Sequence, residues 1–150
     1  QMIKIKAKVQ NSKKRVKAIF IDYLQLITPT NPKANPVDFI SEISRQLKLL
    51  AKELDTPVIC LSQLSRKVED RTDKRPVMSD LRSSGSLEQD ADIIMLLYRP
   101  DYYNQDDFSD TSELEVNIAK NRNGETEVIK YAMNRKLQRI SKIENFEYGF

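Results

Sequence analysis

The chain has 150 residues, 39% hydrophobic and 31% charged, with a net charge of +3; this is the size of one domain and the balance of a folded chain rather than a disordered one. A lone cysteine, Cys60, and the absence of histidine exclude an internal disulfide, zinc fingers, histidine triads and histidine metal sites. The longest apolar runs, Ala18 to Ile21 and Ile93 to Tyr98, fall far below the roughly 20 residues of a membrane helix.

Residues 1–15 read as a basic helix or its remnant, and 16–150 as the core. Residues 1–18 hold seven Lys/Arg and no acid, which reads as a solvated face. Val16 to Ile21 is a short β-rich run ending at Asp22, expected as a buried parallel strand. After a loop around Pro29 and Pro32, Asn35-Pro36-Val37-Asp38 marks a helix start: an N-cap, a proline at the first helical position and an acid in the first turn. Val37, Ile40, Ile43, Leu47, Leu50, Ala51 and Leu54 form its apolar stripe. Thr56-Pro57 stops it, because a residue before proline is pushed out of the α region. Val58 to Leu61 is the second buried strand, so 16–61 is a strand–helix–strand unit with a right-handed parallel crossover.

Ser62 to Ser79 reads as loop with a short helix. Leu87 to Ala91 is a helical turn, Asp92 to Tyr98 a third strand, and Pro100 to Ser112 a long acidic loop. Residues 101–116 carry six acids and no base, again read as a solvated face. Leu114 to Lys120, Glu127 to Met133 and Leu137 to Glu144 follow as a meander, with Asn123-Gly124 as a hairpin signal. The expected fold class is α/β, a mixed sheet with a parallel strand–helix–strand core extended by antiparallel strands.

Four groups of residues can carry chemistry. Asp22 ends a hydrophobic strand, where ligands of open α/β sheets sit and where an aspartate can hold magnesium, directly or through water; it can equally be a cap. Gln63, beyond the next strand, can sense a phosphate or cap a turn. Adjacent parallel strands would present the two on one rim. Arg82, Ser83 and Gly85 precede a helical turn and suit phosphate contact, or form a capped loop with Gly85 in a left-handed turn; both readings stay open. Lys120 and Arg122, at i and i+2, can converge on one anion or lie on a solvated hairpin tip. With three glycines, Gly85, Gly124 and Gly149, no G-x-x-x-x-G-K-[ST] phosphate loop exists here, and this chain alone is not expected to hydrolyse ATP.

Together the segments resemble the C-terminal motor domain of the bacterial and phage replicative DNA helicases, the DnaB-type hexameric ring ATPases of RecA-like fold. The resemblance rests on Ile21-Asp22-Tyr23-Leu24-Gln25-Leu26-Ile27, Ser41-Glu42-Ile43-Ser44-Arg45, Leu61-Ser62-Gln63-Leu64-Ser65-Arg66, Asp73-Lys74-Arg75-Pro76 and Ser79-Asp80-Leu81-Arg82. It continues through Gly85-Ser86-Leu87-Glu88-Gln89-Asp90-Ala91-Asp92, Tyr98-Arg99 and Ala119-Lys120-Asn121-Arg122-Asn123-Gly124. It implies a partial RecA-like fold lacking the P-loop strand and helix, N-terminally truncated, in a parent protein that uses ATP and Mg2+.

It also implies roles. Asp22 would be the Walker B carboxylate organising Mg2+ and water. Gln63 would sit near the γ-phosphate and couple hydrolysis to the DNA-binding loops. Arg82, Ser83 and Gly85 would follow the backbone of single-stranded DNA, although the family often has Glu where Ser83 stands. Lys120 and Arg122 would act in trans on the neighbouring subunit's γ-phosphate. Neighbouring subunits of a homohexamer, primase and a helicase loader are the implied partners. The absence of a secretory segment points to the cytoplasm. The alternatives are another RecA-like ATPase, of the recombinase or circadian-clock type, and a non-enzymatic nucleic-acid-binding module.

Overall fold

The computed structural model describes residues 2–28, 35–81, 84–103 and 110–143. It divides into two compact units, Gln1–Thr72 with Met78–Ala91, and Asp73–Val77 with Asp92–Phe150.

The first unit holds helix α1 (Met2–Lys13), strand β1 (Ile19–Ile21), helix α2 (Pro36–Leu54), strand β2 (Val58–Cys60) and the short helix α3 (Ser84–Asp90). Helix α2 begins and ends where its chemistry requires. The Asn35 side chain accepts the Val37 N–H at 3.0 Å, and Pro36 opens the helix with its φ already fixed. Asp55 closes it in the left-handed conformation, which a short polar side chain tolerates. The buried Thr56 then places its hydroxyl 3.0 Å from the Val16 carbonyl and so ties the helix exit to the approach of β1. Ile40, Ser44 and Leu50 are the buried positions of α2, whereas Val37 is exposed. On the solvent side, Lys4 and Lys8 of α1 pair with Glu53, while the rest of the basic run is largely solvated.

β1 and β2 pair in parallel, Ile19 with Val58, Phe20 with Ile59 and Ile21 with Cys60. They are not the fully buried strands expected: Phe20 is 76% exposed and Ile59 42%. Side chains alternate along a strand, so these two share the more exposed face of the pair.

In the second unit, β3 (Ile93–Tyr98), β4 (Thr111–Asn121), β5 (Val128–Asn134) and β6 (Arg139–Lys142) form an antiparallel meander in that order. Among the described residues the parallel pair and the meander therefore form two sheets rather than the one mixed sheet expected. The β4–β5 connection is longer than the Asn123-Gly124 signal implies, and no described glycine has positive φ. Gly124 leaves room for a neighbour instead: a Cβ there would stand 2.7 Å from Asn121 Nδ2, so that side-chain amide would have to shift.

The acidic run corrects the reading of a solvated face. Asp101 and Glu115 are buried as side chains and paired with arginines. Arg75 donates two hydrogen bonds of 2.7 Å to Glu115 and lies over the Tyr98 ring at 4.8 Å. Arg99 and Arg135 both donate to Asp101. Residues 104–109 lie outside the described residues.

The arginine hydrogen bonds hold both carboxyls below the usual range, Arg75 acting on Glu115 and Arg99 on Asp101. A depressed folded pKa contributes stability that is present above the unfolded carboxylate value, about 4, and is lost as pH falls through the folded value. The thermal midpoint of the β-rich signal is thus expected to hold steady from about pH 7 to 5 and to fall below about pH 4. Circular dichroism melts across that range check this; a midpoint indifferent to acid contradicts it.

Candidate functional site

The first candidate site forms at the C-terminal rim of the parallel pair. Leu61 N–H donates to the Ile21 carbonyl, and Leu24 N–H to the Leu61 carbonyl, both at 2.9 Å. Asp22 therefore leaves β1 where Leu61 leaves β2, and both Asp22 and Gln63 are exposed along that edge. The turn Leu24–Leu26 is anchored by Leu24, 1% exposed, which fixes the chain beyond Asp22.

A side chain with no role evident from the sequence lies between them. Gln25 Nε2 donates to Ser62 Oγ at 3.1 Å, and its Oε1 accepts the Gln63 N–H at 3.2 Å. Only the identity of a glutamine three residues past the aspartate hints at this.

From Gln63 the chain runs directly to the segment before Arg82. Leu64 pairs with Leu81 in an isolated antiparallel bridge, and Ser65 N–H donates to the Asp80 carbonyl at 2.7 Å. Asp80 is buried and takes a 2.7 Å hydrogen bond from Arg71. Arg82 and Ser83 lie outside the described residues. Gly85 is exposed inside α3, not in a left-handed turn.

Asp22 is the acid on this rim that the sequence offers for a metal. Magnesium keeps several waters and takes one or two carboxylates plus substrate phosphates, rather than a dedicated protein cage. An exposed carboxylate at a strand end fits that habit, and the described residues contain no cluster of three or more His, Cys, Asp or Glu able to hold a metal. Cys60, on β2 beside this rim, has its thiol pushed up to about 11 by burial. At neutral pH it is a thiol, so alkylation is expected to lag behind that of a small free thiol by about a hundredfold; a time course with iodoacetamide measures it.

The second candidate site lies at the far end of β4. Lys120 pairs with Ile94, and Arg122 N–H donates to the Asp92 carbonyl at 2.8 Å, which prolongs the pairing by one residue. Alternation then gives Lys120 and Arg122 the same face. The Arg122 guanidinium stands 3.4 Å from Asp92 Oδ1, and both side chains are about half exposed. Asp92, whose part is not evident from the sequence, thus steadies the arginine while leaving it half exposed.

The chain as a whole has known relatives. Residues 1–142 match the model of the DnaB-like helicase C-terminal domain. The chain is 53% identical over 133 residues to the replicative DNA helicase DnaB of Geobacillus stearothermophilus, covering 88% of this chain and 28% of that protein. It is 59% identical over 109 residues to a probable plasmid replicative DNA helicase of Chlamydia psittaci, covering 73% and 23%. Among solved structures, a DnaB-like replicative helicase, described with its interactions with primase, superposes with a TM-score of 0.85 at 46% identity, over 95% of this chain and 35% of that one. A second solved structure, of an ATPase domain, superposes at 0.83 and 45% identity, over 95% and 50%. The chain thus spans about a quarter of the length of these curated relatives. No described helix is long and apolar enough to cross a membrane.

Proposed function

The chain belongs to the DnaB-like helicase C-terminal domain family, and from that premise we propose that it is part of an ATP-driven replicative helicase motor, working in a homohexameric ring on single-stranded DNA. The observation that carries this reading is the parallel β1–β2 pairing, which opens Asp22 and Gln63 on one rim, within a chain matched to this family over residues 1–142.

In this reading Asp22 would hold Mg2+, directly or through water, when ATP is bound. The ion, when bound, neutralises charge on the transferring phosphoryl group. Gln63 reads the γ-phosphate and passes its state through the Leu64–Leu81 bridge to Arg82, Ser83 and Gly85, which track the DNA backbone. Lys120 and Arg122 serve the pocket of the neighbouring subunit, so each pocket is completed by two protomers. Primase and a loader are the expected further partners, and the cytoplasm the site of action.

The test is a graft: residues 1–142 replace their counterpart in the Geobacillus stearothermophilus helicase, and ATP turnover is measured with and without single-stranded DNA. DNA-stimulated turnover and strand unwinding are expected, while the 150-residue chain alone turns over nothing. A graft that binds nucleotide but never responds to DNA overturns the reading.

Within that graft, Arg82→Ala is expected to weaken single-strand binding uniformly across sequences and to reduce the salt slope by about one. Fluorescence anisotropy over a salt series reads it; a loss confined to particular sequences contradicts backbone tracking.

A further inference from the structure

β2 ends at Cys60, and its last ladder hydrogen bond is the one from Leu61 to Ile21. Beyond it Gln63 is exposed, on a chain that has left the sheet. An exposed sensing side chain transmits nothing if its own backbone drifts, so its main chain must be held by something else. The next three residues are held in turn: the Leu61 carbonyl by Leu24 N–H, Ser62 Oγ by Gln25 Nε2, and the Gln63 N–H by Gln25 Oε1.

The structure assigns Gln25 as a positioning residue for Gln63: one carboxamide, three residues past Asp22, clamps two successive residues at the end of the neighbouring strand. This deepens the reading in which Gln63 couples hydrolysis to DNA, and it rests on that reading. Gln25 touches no reacting group in it. It acts by making the Asp22 turn and the Gln63 backbone move as one piece, which then bears on the Leu64–Leu81 bridge.

The chemistry narrows which replacements can serve. Holding Gln63 needs an acceptor, and holding Ser62 needs a group that pairs with a hydroxyl, which can itself turn to donate. Glutamate offers two acceptor oxygens, so Gln25→Glu can keep both contacts once the Ser62 hydroxyl rotates. Methionine matches the length of glutamine and keeps neither.

The experiment compares Gln25→Met and Gln25→Glu in the grafted helicase. Three quantities are read: kcat and KM for ATP with and without DNA, the thermal midpoint, and hydrogen exchange of the peptide spanning 61–65. For Gln25→Met, the DNA stimulation of kcat is expected to fall about tenfold, with KM unchanged and the Gln63 amide exchanging about tenfold faster. Gln25→Glu is expected to restore most of the stimulation and the protection. The assignment is overturned if Gln25→Met keeps full stimulation. It is equally overturned if stimulated and basal rates fall in proportion with the thermal midpoint, as for a merely structural residue, or if Gln25→Glu fails while its Gln63 amide stays protected. Should the parent graft never respond to DNA, the helicase reading fails by itself. The exchange data still decide the clamp, because unchanged protection in Gln25→Met refutes it.

Discussion

Replacing Arg122 by alanine in the grafted helicase is expected to lower DNA-stimulated ATP turnover by on the order of 10³-fold, with nucleotide binding retained. The size follows from what an arginine finger does: it meets charge that develops on the transferring phosphoryl group and adds little before the transition state. The geometry around Arg122 is compatible with such a part. Its backbone is held by the 2.8 Å hydrogen bond to Asp92, and its guanidinium is steadied, not engulfed, by the Asp92 carboxylate at 3.4 Å. Mixing subunits tests the trans assignment. A protomer lacking Arg122 but with an intact pocket should recover turnover beside one with a dead pocket and an intact Arg122. Undiminished turnover in the pure variant, or no recovery in mixed rings, removes Arg122 from the neighbour's pocket.

The second large effect concerns stability. Asp101→Ala is expected to cost the second unit about 3 kcal/mol, because two guanidiniums lose the carboxylate they converge on. Arg99 donates to both Asp101 oxygens at 3.2 and 2.6 Å, and Arg135 to one at 3.2 Å, with the acid side chain 3% exposed. Arg135 follows β5 directly, and its backbone N–H also donates to the Asp110 carbonyl at 2.8 Å. The acid therefore ties the exit of β3 to the β5–β6 turn. A loss of this size lowers the melting temperature by on the order of 10 °C, which differential scanning calorimetry reads directly. A shift of only a degree or two means that the arginines find water as good a partner.

Local signals and distant partnerships differ in how far a sequence shows them. Helix α2 is legible from Asn35-Pro36 to Thr56-Pro57 because caps and proline act on near neighbours. The strands of the meander are legible to within a few residues, since alternation is local too. Partnerships between distant positions are not. Arg75 meets Glu115 across 40 residues, Arg135 meets Asp101 across 34, and Gln25 meets Gln63 across 38. An acidic run carries no mark of which members a distant arginine will bury, so Asp101 and Glu115 look like their solvated neighbours. The exposure of Phe20 and Ile59 escapes the sequence for a related reason: a β-rich run predicts a strand and says nothing of how many of its faces are packed.

At the hairpin tip, Asn121 Nδ2 donates to the Glu125 carbonyl at 3.1 Å, and it occupies the space a side chain on Gly124 would require. A single methyl at Gly124 must displace that amide, and with it the hydrogen bond to the Glu125 carbonyl. The hydrogen bond that spans this turn therefore depends on the smallness of a residue with no chemistry of its own.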